Sequence, residues 1–467
     1  MRFLPRKFIF ALTLVCLAIP PMELSAQETL PFIHREAAAE TMLANFEKRH
    51  QSALAQLKDP YKKELAEQYQ KRYDALGKIY RGRQFLTDTL ATAYLQKLVN
   101  HILNANPQLR LLQPSIHFSR AWWPNAVSYG EGTIAFNISL FNRLQNEAQA
   151  AFVICHELAH LSLDHSNRNI REYVQEVNAP EFRQQLKDIN KSEYQRNKRT
   201  DELLRGLSFT DRRHSRTHEY AADSMAIVLL QSTGYDLRES LSTLALLDAI
   251  DKEKHNGNLA LKEQFHFAEY PFRARWTRAP SLTMSEARDA RVKQLEENTD
   301  SLKTHPDCSK RIAALKPAVE KGYKASQQLF LVSADTFGVL ANRFDAELVA
   351  YCLDAEAYGR ALYYALQLFR GQPRNAWLAT TIAGCLNRLY DAQKNHALGK
   401  VIDLPGSTRN KEYEEWLLFL QNVRLDELAS VNYHFVKQQY PHFGGNADFK
   451  KEAEAARVNY RSHKQLP

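Results

Sequence analysis

His156-Glu157-Leu158-Ala159-His160 sets two imidazoles and a carboxylate within five residues. The run before it, Ala150-Ala151-Phe152-Val153-Ile154-Cys155, is apolar and free of glycine and proline, which predicts a helix. Residues four apart share a helical face, so His156 and His160 can aim their rings at one cation. Glu157, one step round, is placed to take a proton from water at that cation without ligating it. With 16 histidines among 467 residues, the pentapeptide alone is suggestive and no more. A helix carrying two partly exposed histidines would read the same way. A third ligand decides the matter, because catalytic zinc usually takes three protein ligands and keeps one position open.

One solution is a histidine six residues after the second, but Ser166 stands there, and Leu163 replaces the glycine that pattern needs. The other solution is a glutamate on a later helix. Ser215-Arg216-Thr217-His218-Glu219-Tyr220-Ala221-Ala222-Asp223 continues into Ser224-Met225-Ala226-Ile227-Val228-Leu229-Leu230, which is again helical in pattern. Glu219 and Asp223 are four apart and share a face. Glu219 would complete a His-His-Glu set. Asp223 would accept a hydrogen bond from the free ring nitrogen of a ligand histidine, which fixes its tautomer. Small Ala221 and Ala222 allow close approach to the first helix. His214 and His218 stand as alternative third ligands, although neither has a carboxylate one turn on.

These residues, taken in order, resemble the HtpX-like and BepA-like zinc metallopeptidases, gluzincins related to the CaaX prenyl proteases. The likeness rests on the histidines from His156 to His165 and on Ser215-Arg216 leading to Glu219 and Asp223. Trp123-Pro124-Asn125-Ala126 with Gly130-Glu131-Gly132-Thr133-Ile134 is similar to the family's hairpin ahead of the active helix. Leu140-Phe141-Asn142-Arg143-Leu144 with Asn146-Glu147 is similar to its entry into that helix. Thr304-His305-Pro306-Asp307-Cys308-Ser309-Lys310-Arg311-Ile312 is similar to its His-Pro…Arg-Ile segment. The likeness runs from Phe85 to Lys316. Cys155 departs from it, standing where the family more often has alanine, and this bears on packing rather than chemistry.

The resemblance implies an endopeptidase with one zinc held by His156, His160 and Glu219, Glu157 as general base and Asp223 behind a ligand histidine. It also brings His305 and Arg311 toward the site, in a regulatory or substrate-contacting role. His305 in its neutral form could plug the open zinc position, or it could simply punctuate the start of a helix. Ala135-Phe136-Asn137-Ile138 reads as a short strand beside the active helix. An extended peptide could pair with it through main-chain hydrogen bonds, if the strand is not ordinary sheet core.

Few glycines (16) and long Ala/Leu/Glu/Gln/Lys/Arg runs predict a mainly α protein. The expected architecture is an α+β zincin-like catalytic domain, with a small sheet and the HExxH helix, followed by α-helical repeats. Residues 1–26 read as a signal peptide: Arg2, Arg6 and Lys7, then a 12-residue run from Phe8 to Ile19 that is apolar but for Thr13, then Ser25-Ala26. That run is too short to span a bilayer, and no other stretch approaches about 18 uninterrupted apolar residues. The expectation is an exported chain, periplasmic or secreted, with no transmembrane segment after cleavage. Loss of Arg2, Arg6, Lys7 and Glu23 lowers the net charge from +9 to +7. A basic surface can favour an anionic membrane periphery. Opposite charges are interspersed, however, and nothing points to nucleic acid. Of the cysteines left after cleavage, Cys352 and Cys385 could pair or stay as buried thiols, and Cys155 and Cys308 read as thiols.

Residues 27–84 read as a charged helical lead-in broken at Asp59-Pro60, either a cap on the catalytic domain or a hairpin of its own. The catalytic domain is expected over 85–325. Within it, residues 166–214 form a polar helical excursion, and 251–303 an insertion in which Trp276 anchors a loop or an aromatic-basic face grips a partner. Beyond 325, Ala357-Tyr358-Gly359-Arg360-Ala361-Leu362, Phe369, Pro373 and Asn375 resemble the second half of a tetratricopeptide (TPR) repeat. A TPR-like region over 326–440, comparable to the C-terminal array of BepA-like relatives, could bind an envelope protein partner, and 441–467 reads as a polar tail. Two functions follow. One is a zinc endopeptidase of the cell envelope that cuts misfolded or misassembled proteins. The other is a chaperone-like scaffold with a structural or latent zinc site. Glu157 favours the first, since a structural site has no use for a carboxylate beside an open position.

Overall fold

The computed structural model describes residues 29–191, 216–251, 259–279, 308–406 and 410–464. The leader expected over 1–26, together with His214 and His305, lies outside the described residues. The chain is mainly helical with one small sheet, as its composition predicts.

Three strands form the sheet: β1 (Ser115–Ser119), β2 (Ala126–Ser128) and β3 (Thr133–Asn137), in the order β1-β3-β2. β3 pairs in parallel with β1 and antiparallel with β2. The β2–β3 hairpin turns through Gly132, whose φ of 102° is a conformation that side chains with a Cβ rarely adopt. Because strand side chains alternate, β3 divides two layers. Ile134 and Phe136 face the main core with Phe118 and Phe141, while Ala135 faces Phe46, Leu76, Tyr80 and Phe85.

That second layer is the lead-in, a hairpin of α1 (Glu36–Ala55) and α2 (Lys62–Arg81). Asp59 starts its second arm by accepting a hydrogen bond from the Tyr61 amide at 2.9 Å. The hairpin is therefore a cap on the sheet, and Tyr80 Oη meets Thr133 Oγ1 at 3.1 Å.

On the other face lie α3 (Thr89–Ala105), the short α4 (Ile138–Phe141) and the active helix α5 (Glu147–Ser162). Asp88 caps α3 and Asn146 caps α5, each side chain accepting from backbone amides that have no partner inside the helix. Every residue of α5 from Glu147 to Ala159 is buried, which is the mark of a central helix. α6 (His165–Asn178) and α9 (Glu239–Asp251) pack against it; α7 (Pro180–Lys191) packs on α6, α8 is 216–231, and beyond the short α10 (Leu261–Gln264) α11 (Cys308–Gly322) packs on α9.

The C-terminal half is built of α12 (Ala334–Asp354), α13 (Tyr358–Gly371), α14 (Ala376–Lys394), α15 (Lys411–Asn422), α16 (Leu425–Phe443) and α17 (Ala447–Lys464). α12 serves both halves: Phe337, Leu340, Phe344 and Leu348 belong to the catalytic core, Val349 and Cys352 to the second core. Trp122 packs against both cores, with the Arg360 guanidinium 3.5 Å from its ring centre. Segment 259–279 is anchored on the second core. Trp276 is fully buried there and donates to Glu427 Oε2 at 3.0 Å, and Arg273 and Arg275 pair with the same carboxylate.

Two expectations are corrected. The stretch after 440 is no polar tail, because α17 buries Phe449, Ala453 and Ala456 against α14 and α16. Its apolar stripe consists largely of alanines in a charged background, and only the helical spacing of 449, 453 and 456 betrays it. β3 is the central strand and has no free edge for a peptide. The edge on that side belongs to β2, which lies alongside α5. Cys155, Cys308, Cys352 and Cys385 are all buried free thiols.

Candidate active site

α5 and α8 bring His156, His160 and Glu219 together, with one ligand atom from each lying within 4.8 Å of the others. The two Nε2 atoms are 3.0 Å apart. Glu219 offers Oε2 at 3.5 Å from His156 Nε2 and Oε1 at 3.3 Å from His160 Nε2. Donors on a tetrahedral zinc at about 2.0–2.1 Å stand about 3.3–3.4 Å from one another. The observed spacings bracket that value, and two imidazoles with one carboxylate are a donor set zinc takes. The site fits the metal.

Behind the donors lies a buried charged layer. His156 Nδ1 is 3.0 Å from Asp223 Oδ1, as the four-residue spacing from Glu219 anticipates. Asp223 in turn accepts both prongs of Arg311, from Nε and Nη2 at 2.7 Å each. Arg311 Nη1 also lies 2.9 Å from Glu219 Oε2. This corrects the substrate-contacting expectation for Arg311. The residue is 1 % exposed and is a clamp on two carboxylates, reaching them from α11. Sequence reasoning missed the clamp. The signal available was charge balance, since Glu219 and Asp223 share a buried site and need a buried cation.

Burial resists charge on every member of this layer, yet the partners prevail. The Arg311 hydrogen bonds, with the His156 ring beside them, hold Asp223 below the usual carboxylate range. The His156 and His160 rings at 3.5 and 3.3 Å, with Arg311 nearby, hold Glu219 well below it. Asp223 and Glu219 push His156 up to about 10 against the effect of burial. Glu157 moves the other way. Burial raises its carboxyl, and the charges of His160 and His156 only partly offset this. The Ser128 backbone on β2 lies close enough to Glu157 to pull its carboxyl back down a little, so the carboxylate sits between the donor cluster and the edge strand.

A further residue was legible only as the last histidine of the His156–His165 run. His165 Nδ1 lies 2.9 Å from His160 Nδ1, and its ring stacks on His218 at 4.1 Å. Burial, then the neighbouring His160 and His218, lower it to about 3. His218, weighed above as a third ligand, is buried in this stack and is not one of the three clustered donors. His214 and His305 lie outside the described residues.

Residues 89–319 match peptidase family M48. The match begins with α3 and ends inside α11, so it encloses the sheet, the active helix and the carboxylate clamp. No curated protein matches the chain. Among the described residues no helix is long and apolar enough to cross a membrane. The family is one of zinc metallopeptidases. Residues 89–319 are thus a peptidase family M48 domain, an HtpX-like and BepA-like zinc metallopeptidase that hydrolyses peptide bonds.

Proposed function

We propose that the chain is an exported endopeptidase of the cell envelope, periplasmic or secreted, that cuts misfolded or misassembled proteins. His156, His160 and Glu219 would hold one zinc and Glu157 would act as general base. The observation that carries the catalytic reading is the placement of Glu157. It is buried beside the three donors, on the side of the β2 strand where a substrate would lie. When bound, zinc supplies a lowered pKa for water and polarises the scissile carbonyl.

The protein's own residues do the rest. Glu157 takes a proton from the attacking water at its carboxylate and returns it to the leaving amine. Asp223 holds His156 by Nδ1, and Arg311 holds Asp223 and Glu219, so the donors stay in place between turnovers. An extended chain adding to the outer edge of β2 would be gripped by its backbone, which gives loose sequence preference and suits unfolded substrates. The export motif at the N-terminus supports an envelope location. The paired helices from α12 onward support a partner-binding, TPR-like role for the C-terminal half.

The test is digestion of unfolded casein by the protein lacking residues 1–26, against the same protein carrying Glu157→Gln. Wild-type cleavage with a loss of at least about a hundredfold in the variant is expected. Equal rates would overturn the assignment of the base. Absence of cleavage in both, with zinc bound, would favour the scaffold reading.

A further inference from the structure

We propose that His165 is a positioning residue for the site: a neutral imidazole that accepts the Nδ1 proton of His160 and so fixes the ring and tautomer of that ligand. The proposal rests on His160 being a zinc ligand. His160 turns Nε2 toward His156 and Glu219, at 3.0 and 3.3 Å. Only the tautomer protonated at Nδ1 presents a lone pair there. That proton needs an acceptor, and the atom 2.9 Å away is His165 Nδ1. His165 must then carry its own proton on Nε2. The two ligand histidines are thus held in different ways, His156 by a carboxylate and His160 by a neutral ring.

Charge explains the difference. Glu157, Glu219 and Asp223 already place three carboxylates in or against the site, with the Arg311 guanidinium paired to two of them. A fourth carboxylate behind His160 would add like charge to a buried cluster. An imidazole supplies the acceptor without the charge.

The fold holds His165 where this bond requires. α5 ends at Ser162, and Asp164 takes a left-handed conformation (φ 55°), so α6 starts at His165 in a new direction. Within one unbroken helix, a residue five beyond His160 would lie on another face. The ring is 4 % exposed and lies nearly parallel to His218, at 13°. The turn is tied to its neighbours: Asn167 donates to Gly130 O at 3.0 Å and to Asp164 Oδ1 at 2.6 Å. Arg72 of the lead-in hairpin donates to Asn167 Oδ1 at 2.8 Å. Gly130 permits this approach, since a Cβ there would sit 2.2 Å from Asn167 Oδ1.

The experiment measures zinc affinity of the holoprotein by competition with a chromophoric chelator, for wild type and for His165→Phe, His165→Asn and His165→Leu. Phe keeps a ring for His218 but offers no acceptor, and its affinity should fall about 10–100-fold. Asn and Leu are alike in size and differ in the acceptor, so Asn should bind zinc at least about tenfold more tightly than Leu, even if the ring stack is lost. Equal affinities for Asn and Leu, or wild-type affinity in Phe, would overturn the proposal. Glu219→Ala run alongside separates the two levels. Wild-type affinity in both Glu219→Ala and His165→Phe would overturn the ligand assignment as well. A weakened Glu219→Ala beside an unaffected His165→Phe would overturn the role of His165 alone.

Discussion

Replacing Arg311 with methionine removes the guanidinium paired with both Asp223 and Glu219 while keeping a long apolar stem. Asp223 is fully buried and loses two 2.7 Å hydrogen bonds, and Glu219 loses a partner at 2.9 Å. Removing one member of a buried ion pair costs about 3–5 kcal/mol, because the other charge stays buried and uncompensated. The metal-free variant should therefore lose about 4 kcal/mol of stability. Zinc changes the sum. A divalent cation held by Glu219 replaces the compensation which that carboxylate lost, leaving Asp223 as the main debit. The loss in zinc-loaded protein should shrink to about half. Lysine should restore only part of it, since an ammonium cannot span Asp223 bidentately. The assay is denaturant unfolding followed by circular dichroism, with saturating zinc and again with chelator. A metal-free loss below about 1 kcal/mol, or an equal loss with and without zinc, would refute the reasoning.

Glu147 is fully buried and accepts from Tyr94 and Tyr235 hydroxyls and from the Leu331, Val332 and Ser333 amides. Burial raises its pKa, but these hydrogen bonds outweigh it and depress the carboxyl below its ordinary value. Its stabilisation is thus present above the unfolded pKa of about 4.3 and is lost as pH falls through the depressed folded value. Glu147→Gln should cost about 3 kcal/mol at pH 7 and flatten the acid limb of a stability-against-pH curve; an unchanged limb would count against this. Ala453→Asp places a charge at a fully buried position of α17 and should destabilise the chain by about 3 kcal/mol or more, whereas a true polar tail would tolerate it in a thermal melt.

The chemistry-bearing residues were legible because their spacing is local. His156 and His160, and likewise Glu219 and Asp223, are four apart on helices whose apolar pattern is plain, and each pair needed only to face the other. The β2–β3 hairpin was legible only through the family resemblance of Trp123–Ala126 and Gly130–Ile134. What escaped depends on distant pairings. β3 looks like a strand that could serve a substrate, but its place between β1 and β2 is set by contacts with a segment some twenty residues upstream. Arg311 sits in a recognisable motif, yet its partner Asp223 lies 88 residues away, so its burial was invisible. His165 has the wrong spacing to join His160 on a single helix and does so only because Asp164 breaks the helix. α17 hid its core-facing stripe in alanines.

Zinc content measured side by side on purified wild-type protein and Glu219→Ala tests the account most directly. One equivalent per chain in the wild type, removable by chelator with loss of casein cleavage, and well under one in the variant, is the predicted result. A wild-type complement of zinc in Glu219→Ala, or none in the wild type after zinc loading, would contradict it.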